Sequence, residues 1–323
     1  MPEEHLEGGS LIRYGGIYYE NGQNMNLPDG SATGRVMSTF WSSDFVHWSP
    51  EKALSFVRYG YDPREHGANA PKTVALSGNG EQVHEGAALW NRGNAIVGIY
   101  GRWEGGKGLG SSRIDLGLIT SVDAIHFSEP DPNFVFAAPA PRGRWDSGGV
   151  LQGQGFQNVG GRTYFWYGSW DLTNTGDKFD EAQGMLISHG EIGLLTLRQD
   201  GFGYFSVLDP KTAHAGETFF TGEGSLLTAA FRVAGGGAKV YLNVDRAEAG
   251  GVAVELLDGN GFPLPGCRVE DFLPCRESGI RQAIGWRIHA GIPDGGPYRL
   301  RVSLKSIDGE SPRLYAVYVR TGD

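Results

Sequence analysis

An acidic residue opens the same kind of short strand three times in this chain: as Glu7-Gly-Gly-Ser-Leu-Ile, as Glu85-Gly-Ala-Ala-Leu-Trp and, shifted by one residue, as Asp146-Ser-Gly-Gly-Val-Leu. Each copy leads into an aromatic strand, Ile17-Tyr-Tyr-Glu20, Ile99-Tyr-Gly-Arg-Trp103 and Trp166-Tyr-Gly-Ser-Trp170. Later parts recur as well. Ser42-Ser-Asp44-Phe-Val-His-Trp48 returns as Ser121-Val-Asp123-Ala-Ile-His-Phe127, and Asp115-Leu-Gly-Leu-Ile-Thr120 as Glu191-Ile-Gly-Leu-Leu-Thr196. Self-similarity at long spacing marks an architecture in which each repeat is one supersecondary unit stacked on its neighbours.

Short runs of Val, Ile, Tyr, Phe, Trp and Thr alternate with Gly, Asn, Asp and Pro turns, and helical periodicity is nearly absent. The 52 glycines fit tight turns better than helix interiors, which they destabilise. Each repeat parses as four strands: 9–15, 17–23, 34–42 and 52–58 in the first, 86–92, 95–103, 114–121 and 133–138 in the second, and 148–159, 163–170, 184–198 and 202–207 in the third. Four strands per unit with generous loops describe a β-propeller blade. In the Ser-x-Asp element the short side chains are expected to bond turn backbone while the aromatic wedges against the blade, so Asp44 and Asp123 read as turn residues.

The pattern changes near Leu208-Asp-Pro210, after which alternating strands such as Val252-Ala-Val-Glu-Leu-Leu257 and Tyr298-Arg-Leu-Arg-Val-Ser-Leu304 predict an antiparallel β-sandwich. The fold class is therefore all-β, with a propeller over 1–210 and a sandwich over 211–323. Three blades fall short of the four to eight that typically close a propeller. The chain is accordingly read as an N-terminally shortened piece of a five-bladed protein, with an open blade edge that invites association.

A net charge of −9 with no Lys/Arg stripe argues against nucleic acid as a partner. No apolar run reaches the roughly 18 residues of a membrane helix, and the acidic start Met-Pro-Glu-Glu-His shows no signal peptide. Cys267 and Cys275 are too few for a disulfide framework or a zinc site; they pair with each other or are small buried side chains. No spacing of His, Cys and carboxylates suggests a metal, and no Gly-rich strand-to-helix turn suggests a nucleotide, so no cofactor is expected.

The blade order, the Ser-x-Asp-x-x-x-Trp element and the run Arg198-Gln-Asp-Gly-Phe202, followed by Leu242-Asn243, Val254-Glu-Leu-Leu-Asp258, Pro265-Gly266 and Trp286, resemble the propeller-plus-sandwich proteins called glycoside hydrolase family 32-like. More broadly they resemble the five-bladed clans of fructosidases, arabinanases and xylosidases. The fructosidase hallmarks are missing: no Trp-Met-Asn-Asp-Pro segment, no Arg-Asp-Pro triplet and no Glu-Cys pair, to whose glutamate Glu85 alone corresponds. The resemblance implies a carbohydrate substrate and an extracellular or periplasmic location for the parent protein.

In a propeller the first strand of each blade lines the central channel, so Glu7, Glu85 and Asp146 are expected to face one funnel. Glycoside hydrolysis commonly uses two carboxylates across a sugar, one as general acid and one as base or nucleophile. Glu85, Asp146 and Glu7 are the catalytic candidates, with Glu85 as the acid because small neighbours favour its partial burial. His5 and His84 beside the first two acids, Arg102, and the indoles of Trp145, Trp103 and Trp170 are candidates for binding sugar, the indoles doubling as core candidates. Two other classes fit the same residues: a propeller that binds a glycan or protein without cleaving it, and a polysaccharide lyase using His84, Arg102 and Tyr100.

Overall fold

The computed structural model describes residues 7–26, 32–58, 82–105, 112–131, 134–141, 144–170, 179–180, 185–186, 190–207 and 222–322. Among them the protein is all-β: the one helical element is a single 3-10 turn, Val269–Asp271. Among the described residues no helix is long and apolar enough to cross a membrane. The chain divides into two compact units, residues 1–157 with 164–196 and residues 158–163 with 197–323.

Unit 1 contains three sheets that follow the repeats. Strands β1 (Glu7–Tyr14), β2 (Ile17–Asn26), β3 (Ala32–Ser42) and β4 (Ala53–Phe56) pair in sequence order. So do β5 (Gln82–Asn91), β6 (Ile96–Gly105) and β7 (Ser112–Ser121). The third sheet joins β8 (Val150–Val159), β9 (Arg162–Trp170) and β12 (Gly190–Arg198), with β9 central. The short strands β10 (Phe179–Asp180) and β11 (Met185–Leu186) pair with each other. Tight turning is built into two hairpins. Gly15 and Gly16 (φ 57° and 89°) and Gly160 and Gly161 (φ 56° and 79°) take the left-handed backbone that two-residue turns between twisted strands require.

The middle sheet is covered on both faces, which explains its aromatic, small-residue composition. One core joins Ile12, Met37 and Phe56 of the first sheet to Val83, Ala87 and Tyr100 of the second. Another joins Ala88, Ile99 and Leu116 to Val150, Phe165 and Tyr167 of the third. Ala87 and Ala88 thus point to opposite neighbours, as period-2 alternation demands. The Ser-x-Asp turns match bond for bond: Asp44 Oδ1 accepts from the N–H groups of Val46 and His47, and Asp123 Oδ1 from those of Ile125 and His126. Each second carboxylate oxygen lies 2.7 Å from the histidine Nδ1 three residues on.

Two expected fourth strands are absent from their sheets among the described residues. Residues 134–141 pair with the backbone of the second sheet at one isolated bridge, Leu116↔Ala137, and form no ladder with it. Phe205 bridges Leu314 within unit 2, because its backbone groups find partners there rather than on β12.

Unit 2 has two sheets around one core. Strands β13 (Glu223–Leu227) and β14 (Phe231–Val233) flank β18 (Gly295–Lys305), which also pairs β16 (Val252–Asp258). The other sheet orders β17 (Gly279–Ile284), β15 (Ala238–Asp245) and β19 (Arg313–Thr321). Val240 and Leu242 from one sheet meet Val254, Leu256, Leu300 and Val302 from the other, and Trp286 donates its indole N–H to Val254 O at 2.9 Å. Cys267 and Cys275 are buried free thiols of this core. The Arg198-Gln-Asp-Gly run clasps it: Arg198 bonds Asn243 Oδ1 at 2.6 Å, Val244 O at 3.2 Å and Asp245 at 2.8 Å, while Tyr318 donates to Asp200 at 2.6 Å.

Candidate active site

The middle sheet's first strand is interrupted where its acid sits. Pairing of β5 with β6 runs to His84↔Gly101 and resumes at Ala87↔Tyr100, leaving Glu85 and Gly86 as a bulge with φ of 54° and 71°. Bulges re-aim side chains, and a non-glycine residue held in left-handed backbone carries about 1–3 kcal/mol of strain. Gly86 fits because a Cβ there would come within 2.7 Å of Asn21 Oδ1 and 2.9 Å of Gly22 Cα. The neighbouring sheets grip the bulge with amides. Asn21 of β2 donates to Ala87 O at 3.1 Å and to Ser10 O and Oγ, and accepts from Ala87 N–H at 2.8 Å. Gln152 of β8 donates to His84 O at 2.7 Å and Gly86 O at 3.1 Å.

Glu7 and Glu85 are brought together by one side chain. Gln23 lies opposite Glu7 in the β1/β2 register and donates Nε2–H to Glu7 Oε2 at 2.5 Å, while its Oε1 accepts the Glu85 N–H at 3.0 Å. Burial pushes the Glu85 carboxyl above the usual glutamate range, and the charge of Glu7 adds to this, against a smaller opposing pull from Arg35. Arg35 of β3 stacks its guanidinium 4.2 Å from the Trp103 ring centre. Burial lowers the Arg35 value, with Glu7 and Glu85 acting to restore it. Its Nη1 is buried without a hydrogen-bond partner among the described residues.

His84, next to Glu85 in sequence, is buried. Its side chain is 5% exposed, stacked on Trp103 at 5.4 Å and edge-on to Trp170 at 5.9 Å. Burial, then the charge of Arg35, holds its pKa down to about 3, so the ring is neutral at physiological pH. Nδ1 lies 4.0 Å from Glu85 Oε2 and has no hydrogen-bond partner among the described residues.

The other expected residues stand apart from this cluster. Asp146 precedes β8 by several residues, so the shifted third copy places its acid in a turn and not on the strand. It accepts a 2.9 Å bond from Tyr167, whose hydroxyl is pushed up to about 12 by burial and by Asp146. Trp145 is exposed and stacks on the same Tyr167 ring at 5.8 Å. Arg102 is buried, 3.5 Å from Asp115 and bonded to Phe134 O. Tyr100 is buried, donates to Glu129 at 2.5 Å and packs on Phe56. His5 lies outside the described residues. Among the described residues no group of three His, Cys, Asp or Glu could hold a metal ion. Two open cavities of about 440 Å³ lie in unit 2, one lined by Gly235–Gly237 with Lys239, His289 and Arg320; neither is lined by an expected site residue.

Sequence reasoning missed Arg35, Gln23, Asn21 and Gln152. A signal existed for two of them: Asn21 and Gln23 are polar side chains inside a strand, and buried amides are kept where backbone lacks partners.

No protein-family model and no curated protein matches the chain. Among solved structures it resembles an N-acetylgalactosamine deacetylase from F. plautii, with 16% identity over 60% of this chain and 50% of that one, at a TM-score of 0.38. A family 117 glycoside hydrolase from Zobellia galactanivorans gives 11% identity, 61% and 53% coverage, and a TM-score of 0.40. A family 32 β-fructofuranosidase from Bombyx mori gives 9%, 97% and 78%, and 0.32. The chain spans about half the length of the first two of these structures. Superpositions this loose assign neither family nor reaction, so function is argued from the site.

Proposed function

We propose that this chain carries part of a glycoside hydrolase site, on propeller blades followed by a sandwich, in which Glu85 is the general acid and Glu7 the partner carboxylate. The observation that carries this reading is the Gln23 amide, which bonds both the Glu7 carboxylate and the Glu85 backbone N–H, beside the influence of the Glu7 charge on the Glu85 carboxyl. Two carboxylates on one bond need different protonation states. Burial and the Glu7 charge favour the proton on Glu85, while Glu7 is exposed and its carboxyl oxygen accepts a bond from Gln23.

Glu85 would protonate the glycosidic oxygen as the bond to the anomeric carbon breaks. Glu7 would deliver water to that carbon, or attack it and release the sugar to water in a second step. The indole of Trp170, half-buried beside His84, offers a face for a sugar ring. Asp146 is assigned no proton-transfer step.

The test is a panel of poly- and oligosaccharides assayed for reducing sugar. Glu85→Gln and Glu7→Gln should each lower turnover at least about a hundredfold where acid and base catalysis operate. Release of an ultraviolet-absorbing unsaturated product would assign a lyase, and binding without release a non-catalytic module; either outcome removes the hydrolase reading.

A further inference from the structure

We infer that Nδ1 of His84 is the acceptor for the proton that Glu85 carries, which makes His84 a positioning residue and not a sugar contact. The role of Glu85 as the acid rests on the proposed function above; the pairing of the two side chains does not.

The argument begins with an unsatisfied atom. A buried polar group without a partner costs about 1–3 kcal/mol, and native structures rarely tolerate one without a use. His84 Nδ1 is such an atom, sealed by Trp103 and Trp170 and 4.0 Å from Glu85 Oε2. Catalytic hydrogen bonds are often long before substrate binds, and a shift of about 1 Å would close this one. A neutral imidazole with its proton on Nε2 leaves Nδ1 as a lone-pair acceptor. Only a protonated Glu85 can then donate, so forming the bond keeps the proton on the carboxyl until the leaving oxygen takes it. His84 itself gains no proton, since burial and Arg35 disfavour its charged form.

The groups around Glu85 come from several elements: Glu7 of β1, the neutral amide of Gln23 of β2, Arg35 of β3 and His84 of β5, while Gln152 of β8 binds the backbone on either side. Glu7 favours the protonated carboxyl and Arg35 opposes it. His84 is the group whose lone pair can select for the proton.

The experiment is an NMR titration of the full chain with 13C-carboxyl glutamate and 15N-imidazole histidine, Glu85 being assigned from Glu85→Gln. In the wild type the His84 Nδ1 resonance should move with the Glu85 midpoint while the ring stays neutral. His84→Phe, which preserves stacking, should lower the Glu85 midpoint by about one pH unit, a tenfold loss of proton affinity. His84→Asn, with an amide oxygen near the Nδ1 position, should restore most of it. An unchanged or raised midpoint in a folded His84→Phe variant overturns the pairing. If that variant does not fold, a wild-type Nδ1 resonance that ignores the Glu85 titration overturns it alone. If the titration holds and no glycan is cleaved, the pairing stands and the hydrolase reading falls.

Discussion

At the scale of single residues, Glu85 is costly where it stands. It occupies left-handed backbone, is half-buried and lies near a second carboxylate. Its folded-state pKa is raised, so the folded protein binds its proton more tightly than the unfolded chain does. Stability therefore falls as pH rises from the ordinary glutamate value of 4.5 through the folded value. Glu85→Gln removes that ionisation, so its melting temperature at pH 7 should exceed that of the wild type, with the gap closing toward pH 4. Loss of stability at pH 7 would show that the carboxylate is better accommodated than its surroundings indicate. A residue that destabilises the protein where it sits is a common mark of a functional position. Asp44 is the contrast: His47, then the backbone N–H groups of His47 and Val46, hold its carboxyl well below the usual range, and those bonds close its turn.

At the scale of elements, the β5 bulge exists because two other sheets hold it. Asn21→Ala would leave Ala87 N–H and C=O without partners in a sealed position, and each orphaned buried group costs about 1–3 kcal/mol. Urea unfolding should show a loss of roughly 3 kcal/mol, near the sum for two such groups. A loss below about 1 kcal/mol would mean that water replaces the amide. In unit 2, Asn243 plays a similar part, accepting from Arg198 and donating to Gln199 O at 2.6 Å while fully buried. Asn243→Ala should cost about 2–3 kcal/mol by the same reasoning, read as a lower midpoint in a thermal melt followed at Trp286.

At the scale of the whole molecule, loss of stability in acid has an identifiable source in His84. Its folded pKa of about 3 lies below the ordinary 6.5, so the unfolded chain binds the proton more tightly. The contribution is complete above pH 6.5 and is lost progressively as pH falls toward 3. Between pH 7 and pH 4.5 the wild type should lose about 2–3 kcal/mol more than His84→Phe, since each pH unit within that window is worth about 1.4 kcal/mol. Equal losses in urea unfolding at the two pH values would show that His84 is protonated in the folded protein.

The all-β class, the three-fold recurrence and nearly every hairpin of unit 1 were legible in the sequence. Strand periodicity, glycine turns and aromatic alternation are local properties, set by neighbouring residues. The Ser-x-Asp turns were legible for the same reason: their bonds span two or three residues. The repeat also placed Glu7 and Glu85 at matching positions of their first strands, β1 and β5. What only the tertiary structure decided depends on groups far apart in the chain. Arg35 reaches the site across Trp103, and Gln152 grips a bulge that precedes it by more than sixty residues. The register of the third repeat was decided there too: the shift is one residue in sequence, yet Asp146 stands against Tyr167 in a turn before the strand. Fourth strands were decided likewise, since a strand joins whichever sheet edge offers partners, and Phe205 finds Leu314. Pattern specifies which segments extend; competition among distant edges and buried amides specifies what they touch.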